Sequence, residues 1–295
     1  MNKDLIKEYV EVNSNLVSMR ESIAYPGLFV LKYKKKVFFD GLWNDFLEEC
    51  RGTIVDKDFN VVSRPFTKIY NYGVEAKAPK LTDSTIVDAY RKINGFMVAV
   101  TLYKDELLIS TTGSTDSDFV GYAKKMIDID LYSQVCRDYP DHTFMFECVH
   151  EKDPHIIPEL PGMYLLGYRA NEWESPIHID PSMLFTLSKE FNTLPVAHTQ
   201  LSLGTLLKAV KLVKHEGFVF YTAEGQAAKI KSPYYLVNKF VARNPRTDKL
   251  LRKDVKQSMD EEYYPLIDAI QADIAAYTLL DEQARLAWTR KFLEA

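Results

Sequence analysis

Lys92, in KINGFMVAV (92–100), stands two residues before an Asn-Gly pair and a run of apolar residues. A lysine amine at its ordinary pKa of ~10.4 is protonated and has no lone pair to give. Burial or neighbouring cations lower that value and free a nucleophile at neutral pH. The apolar FMVAV could wall a low-dielectric cleft, and the cations could be other lysines or a metal ion. Lys229 and Lys231, in AKIKS, supply such a pair, because a spacing of two puts both side chains on one face of a strand. Two ammonium groups on one face repel each other and are sensible opposite anions. Glu147, in FMFECV, is a carboxylate inside an apolar strand, costly to bury unless partnered; a structural ion pair or a working site would explain it. Glu216 precedes Gly217 in HEGFVF, where Glu-Gly could also be turn punctuation. Taken singly these are ordinary signals: Asn-Gly most often marks a solvated hairpin turn, and Lys-x-Lys a solvated strand face. The six histidines show no ligand spacing, and His150 and His155, near Glu147, read as loop or core residues.

The pattern around these residues is mixed. Residues 3–22 have the apolar spacing of a helix, closed by Tyr25-Pro26-Gly27. LFVLKY, KKVFF, RGTIVD and NVVS read as short strands, as do 86–91, 96–103 and 106–112. Residues 117–135 have helical period, strands are expected at 143–149 and 163–169, and 201–214 reads as a helix. EGFVFYTAEGQAAKIKS reads as a hairpin turning at Glu224-Gly225. Composition shifts near Asn244-Pro245. Beyond it Tyr263, Ile267, Ile270, Ile274 and Tyr277 share a helical face, and a further helix starts near Asp281. The expectation is an α+β fold, with an antiparallel-rich domain over 1–242 and a small all-helical C-terminal domain over 243–295.

Bulk properties narrow the function classes. The 295 residues are 46% hydrophobic and include 18 Tyr and 16 Phe, which excludes a disordered chain. A net charge of −4 is not that of a protein coating nucleic acid indiscriminately, so contact with RNA or DNA requires a local basic patch. Cys50, Cys136 and Cys148 form no CxxC pair, which argues against a disulfide framework or zinc knuckle and fits a reducing cytosol. The N-terminal stretch is charged throughout, unlike a signal peptide, and no segment reaches the ~18 apolar residues of a membrane span.

The order KxNG, FMFE, MYLLGYR, EGFVF, KIKS resembles the motif series of the covalent ligase and mRNA-capping nucleotidyltransferases. ECRGTIVD (49–56), SRPFTKIYNYG (63–73) and ISTTGSTDSDF (109–119) resemble segments of the bacteriophage T-even first-type RNA ligases, and the likeness covers about residues 48–240. The commonest superfamily motif has Asp at the position of Asn94; Asn, found in fungal tRNA ligases, removes a negative charge beside the lysine.

The resemblance implies an ATP-dependent RNA ligase that joins 3′-hydroxyl and 5′-phosphate ends through lysyl-AMP and RNA-adenylate. It implies Lys92 as the nucleophile, Gly95 for close backbone approach to the nucleotide, and Lys229 and Lys231 gripping the α-phosphate. It implies Glu147 on the ribose hydroxyls or a cation, Glu216 on a divalent metal, and Arg51 and Lys68 on the triphosphate tail or RNA phosphate. Leu166 or Tyr168 would pack on adenine. ATP and Mg²⁺ or Mn²⁺ are the implied cofactors. RNA ends are the implied partner of a monomer with no membrane contact, working in the cytoplasm of a phage's host. A capping guanylyltransferase or a DNA ligase would use the same lysyl-nucleotide chemistry. Those are disfavoured by the missing strand-rich module after residue 242 and by the ECRG and SRPFTKIY segments, and a non-catalytic RNA-end-binding module is disfavoured by the full set of lysines and glutamates.

Overall fold

The structure, a computed structural model, describes residues 2–243, 250, 252, 255–258 and 263–294. In chain order it runs α1 (Lys3–Val12), β1 (Val17–Glu21), β2 (Leu28–Tyr33), α2 (Lys35–Phe39), α3 (Asp45–Glu49), β3 (Arg51–Asp56), β4 (Val61–Ser63) and β5 (Tyr70–Asn71). There follow β6 (Ile86–Arg91), β7 (Phe96–Tyr103), β8 (Glu106–Thr111), α4 (Asp118–Met126), α5 (Ile129–Asp138), β9 (His142–Val149), β10 (Gly162–Ala170) and α6 (Pro181–Glu190). The remainder is β11 (His198–Ser202), α7 (Leu203–Ala209), β12 (Gly217–Thr222), β13 (Ala227–Lys231), α8 (Pro233–Arg243), α9 (Tyr264–Ala272), α10 (Ile274–Leu279) and α11 (Glu282–Glu294). Antiparallel sheets with C-terminal helices are the α+β class expected from the sequence. Among the described residues no helix is long and apolar enough to cross a membrane.

The chain divides into two compact units, one of Met1–Tyr70, Gly95–Pro154 and Glu159–His198, the other of Asn71–Asn94, His155–Pro158 and Thr199–Ala295. The first unit has two sheets, ordered β1-β2-β3-β4 and β10-β9-β7-β8. Ile6, Val10, Leu31, Val37, Phe46 and Leu47 form one of its buried clusters. The two sheets are tied by polar groups: Thr143 Oγ1 donates to Asn171 Oδ1 at 2.6 Å, and Asn171 Nδ2 donates to Val62 O at 2.7 Å. Buried hydroxyl and amide groups need such partners. The second unit carries the sheet β11-β6-β12-β13-β5, with Val87, Ala89, Phe220 and Ala228 packed on Leu203 and Leu206 of α7. In its C-terminal part Tyr263, Leu266, Ile267, Ile270 and Tyr277 share a core with Val237 and Val241 of α8.

Several local expectations give way to longer-range packing. The helix expected over 3–22 stops at Val12, where Asn13 turns its amide onto Tyr9 O at 3.0 Å. Residues 17–21 then pair with β2, in register Val17↔Tyr33. KKVFF is the helix α2 rather than a strand, since Val37 alone is buried in it. The helix expected over 117–135 is two, separated where Asp128 caps α5 through the N–H groups of Asp130 and Leu131. Residues 198–202 are strand, and the helix expected from 201 starts at Leu203, capped by Ser202. Asn94-Gly95 is not a hairpin turn: β6 and β7, on either side, belong to different sheets. The hairpin at Glu224-Gly225 forms as expected, with Gly225 at φ 80°. Asn244-Pro245 lies outside the described residues.

Candidate active site

Lys92 is held by sheet hydrogen bonding. In the second unit β6 pairs with β12 in register Phe218↔Arg91, and Lys92 N–H donates to Gly217 O at 2.9 Å, one step past the strand. Gly217 faces Lys231 across the β12–β13 ladder. It has φ 133°, and a Cβ there would lie 2.0 Å from Ile230 O, so only glycine fits. This pairing sets three charged groups at one end of the sheet. Lys92 Nζ lies 3.0 Å from Glu216 Oε2, and Lys231 Nζ 3.5 Å from Glu216 Oε1. The Glu216 side chain is 3% exposed, those of Lys92 and Lys231 23% and 22%. Lys231 Nζ also lies 4.8 Å from the centre of the Tyr235 ring. Burial holds Lys231 below the usual lysine value, with the charges of Lys239 and Lys92 adding to the effect and Glu216 opposing it. Lys229, half-buried two residues earlier, shares the strand face of Lys231 as its spacing required.

Asn94 completes the arrangement. Its Nδ2 donates to Glu216 Oε2 at 2.6 Å and its Oδ1 accepts the Ile157 N–H at 2.9 Å. An aspartate there would set a second carboxylate against Glu216 and offer no N–H to it. The amide fits this carboxylate in a way the commoner acid could not.

The other expected residues belong to the first unit. Glu147 lies on β9, opposite Met97 and Tyr164, and its Oε1 accepts the Gly95 N–H at 3.0 Å. A Cβ on Gly95 would sit 2.3 Å from Cys148 O, so strand packing already requires the glycine. Arg51 opens β3 opposite Lys32, with its guanidinium 5.9 Å from the centre of the Tyr33 ring. Lys68 is buried, its Nζ 4.1 Å from the Tyr70 ring centre and 4.7 Å from that of Trp43. Leu166 is half-buried at a bulge in β10, between Leu165 and Gly167. Tyr168 stacks on Phe144 and His178. Residues 144 and 147 point to opposite faces of β9, so the Tyr168 ring lies on the face away from the Glu147 carboxylate.

Sequence reasoning passed over one buried cluster inside the very segments that it used. Arg64 donates to Glu49 through Nε at 3.1 Å and Nη2 at 3.0 Å, and to the carbonyl oxygen of Glu172. Arg169 donates to Glu49 Oε2 at 3.4 Å, Pro65 O at 3.2 Å and Ser175 O at 2.6 Å. All three side chains are buried. The available signal was a charged residue in each of three short segments, ECRG, SRPF and LGYRA.

Cys50, Cys136 and Cys148 are free and buried, and burial pushes the thiols of Cys136 and Cys148 up to about 12. Among the described residues no group of three or more His, Cys, Asp or Glu side chains could hold a metal ion by itself.

Solved structures with a similar fold include ATP-dependent ligases. Two forms of an archaeal ATP-dependent RNA ligase each match all of this chain and 78% of their own at 16% identity, with TM-scores of 0.58 and 0.56. A candidate ATP-dependent DNA ligase from Aquifex aeolicus matches 99% of this chain and 75% of its own at 16% identity, with a TM-score of 0.56. At this identity the likeness speaks for the fold. No curated protein matches the chain significantly. The family model described as RNA ligase, of the T4 first type, matches residues 49–235. The chain belongs to this RNA ligase family, and it is an enzyme of RNA ligation.

Proposed function

We propose that the protein seals RNA with ATP through a covalent nucleotide on Lys92. The observation that carries this reading is the contact of Lys92 Nζ with the buried Glu216 carboxylate at 3.0 Å, with Lys231 on that carboxylate's other oxygen. The Lys92 amine attacks the α-phosphorus of ATP; a P–N bond forms, the bond to the bridging oxygen breaks, and pyrophosphate leaves. The amine sheds a proton in this step, and Glu216 Oε2 is within reach to take it. An RNA 5′-phosphate oxygen then attacks the AMP phosphorus, the P–N bond breaks and Lys92 is freed; an RNA 3′-hydroxyl attacks the activated 5′-phosphate, the phosphodiester forms and AMP leaves. Such transfers depend on positioning and charge neutralisation.

Lys229 and Lys231 hold the α-phosphate, and the positive charge of Lys231 helps Lys92 reach its neutral form. Arg51 and Lys68 take the phosphate tail or the RNA phosphate. Glu147 fixes the backbone at Gly95 and takes the ribose hydroxyls or a cation. Leu166 is the better adenine platform, because Tyr168 is engaged on the other face of its sheet. The donor chemistry fits Mg²⁺ or Mn²⁺: hard carboxylate oxygens of Glu216 or Glu147, completed by phosphate oxygens and water, as such ions prefer. That metal would neutralise the charge developing on the pyrophosphate. The reading extends to a monomer in a reducing cytoplasm, that of a phage's host, with a nucleotidyltransferase domain over 1–242 and a helical domain over 243–295.

The test is incubation with α-labelled ATP, and separately with α-labelled GTP, followed by a denaturing gel. Label fixed by ATP in the wild type and lost in Lys92→Ala is expected. Label from GTP would point to capping chemistry, and label retained by Lys92→Ala would sink the nucleophile.

A further inference from the structure

A net charge of −4 leaves open where this RNA ligase meets a polyanion beyond the few phosphates at Lys92. The first unit has a segment of the required chemistry, KYKKKVFFDGLW (32–43). Lys32, Lys34, Lys35 and Lys36 are all exposed, against the single acid Asp40. Among the described residues no hydrogen bond or ion pair engages the side chains of Lys34, Lys35 or Lys36. Phe38 and Phe39 are 56% and 76% exposed and meet edge to face at 5.6 Å, and Leu42 is exposed beside them. The segment is nonetheless fixed. Val37 is fully buried in the core beneath, and Gly41, at φ 66°, turns the chain away. Two exposed phenylalanines on an anchored turn cost solubility unless something covers them.

The surface continues inward. Tyr33 and Trp43, at the ends of the segment, meet at 4.7 Å; Arg51 lies beside Tyr33, and Lys68 between Trp43 and Tyr70. Arg51, Tyr33, Trp43, Lys68 and Tyr70 are thus joined by cation–ring and ring–ring contacts within one unit, and Lys34, Lys35, Lys36, Phe38 and Phe39 lie in sequence between Tyr33 and Trp43. That is the composition of a single-strand track: lysines follow the phosphates, and rings take the bases without regard to sequence.

We propose that Lys34, Lys35, Lys36, Phe38 and Phe39 form a docking surface for single-stranded RNA leading to an end held at Arg51 and Lys68. The proposal rests on the RNA ligase reading. Charge complementarity with a polyanion, and continuity with the inner cations, favour RNA over a membrane or a second copy of this chain.

The experiment is fluorescence anisotropy of a short labelled 5′-phosphorylated single-stranded RNA, over a series of salt concentrations, with the full chain. The triple variant Lys34→Ala/Lys35→Ala/Lys36→Ala is expected to bind about tenfold or more weakly. Its log K against log salt is expected to flatten by about 2, at roughly 0.7 per phosphate contact. Phe38→Ala/Phe39→Ala is expected to weaken binding roughly tenfold with an unchanged salt slope, the signature of lost stacking. Both variants are expected to keep the transfer of label from ATP to protein, which needs no RNA. Unchanged RNA affinity and salt slope in both variants would overturn the proposal. So would loss of binding to phosphatidylserine vesicles alone, or a change of oligomeric state alone, with RNA affinity intact. A wild type that takes no label from ATP yet loses RNA in the variants would overturn the catalytic reading and leave the docking surface standing.

Discussion

Two clusters in this protein have the same formal composition, one carboxylate between two cations, and differ in the cation and in its exposure. Around Glu49 the cations are Arg64 and Arg169, both buried, each also donating to backbone carbonyls. Around Glu216 they are Lys92 and Lys231, each more than a fifth exposed, with an asparagine amide as the further donor. An arginine is always charged and presents a rigid fork that saturates its surroundings. A lysine is a point charge that can lose its proton and swing to another anion. The arginine cluster closes a junction between strands. The lysine cluster is open on the side of its cations, and under the proposed function a phosphate would take the carboxylate's place there. Equal charge counts thus separate into a closed cluster and an open one by the type of cation and its access to water.

The sharpest way to break this contrast is to put an arginine into the open cluster. Lys92→Arg keeps a positive charge opposite Glu216 but cannot shed a proton near neutral pH. Labelling by ATP should vanish while the unfolding free energy in urea changes by less than about 1 kcal/mol; residual labelling at the wild-type rate would show that another group carries the nucleotide. The second test empties the closed cluster. Glu49→Gln leaves two buried guanidiniums without a counter-charge and should cost about 3–5 kcal/mol of stability in urea unfolding. The folded fraction should still accept label, and a variant as stable as the wild type would mean that the carbonyls suffice. The smallest effect concerns Lys231, which burial holds below the ordinary lysine value of 10.5. Between its depressed folded value and 10.5 the unfolded chain holds the extra proton, so this group makes stability rise with pH across that window. It withdraws that contribution as pH falls. Subtracting the urea midpoints of Lys231→Met from those of the wild type through the alkaline range should reveal the rise, and a flat difference would place Lys231 in water.

The residues of the open cluster were legible because their chemistry is written in short strings: Lys92 before Asn-Gly, Glu216 before a glycine, and Lys231 at strand period from Lys229. Their meeting was not, since it depends on the β6–β12–β13 register, and no local pattern fixes which strands become neighbours. Glu49, Arg64 and Arg169 were invisible as a set for the same reason: each partner lies in a different segment. Among the elements, β6 to β10 were readable from alternation and apolar runs. α2 was misread because KKVFF buries one side chain, and a single anchor has no period. The helix expected through residue 22 failed because β1 gains a partner strand that outweighs its helical spacing.

The dipeptide Asn94-Gly95 has a consequence for how the protein ages. Asparagine before glycine is the sequence most prone to deamidation, in which the glycine nitrogen attacks the side-chain carbonyl and closes a succinimide ring. Here the amide is held at both ends by Glu216 and the Ile157 N–H, and the attacking nitrogen is occupied by Glu147. The folded enzyme is therefore shielded from a lesion that would install an acid beside Glu216. Each excursion to the unfolded state removes that shield. Storage life should track conformational stability, and the damage should appear first as lost nucleotide transfer in protein that still folds.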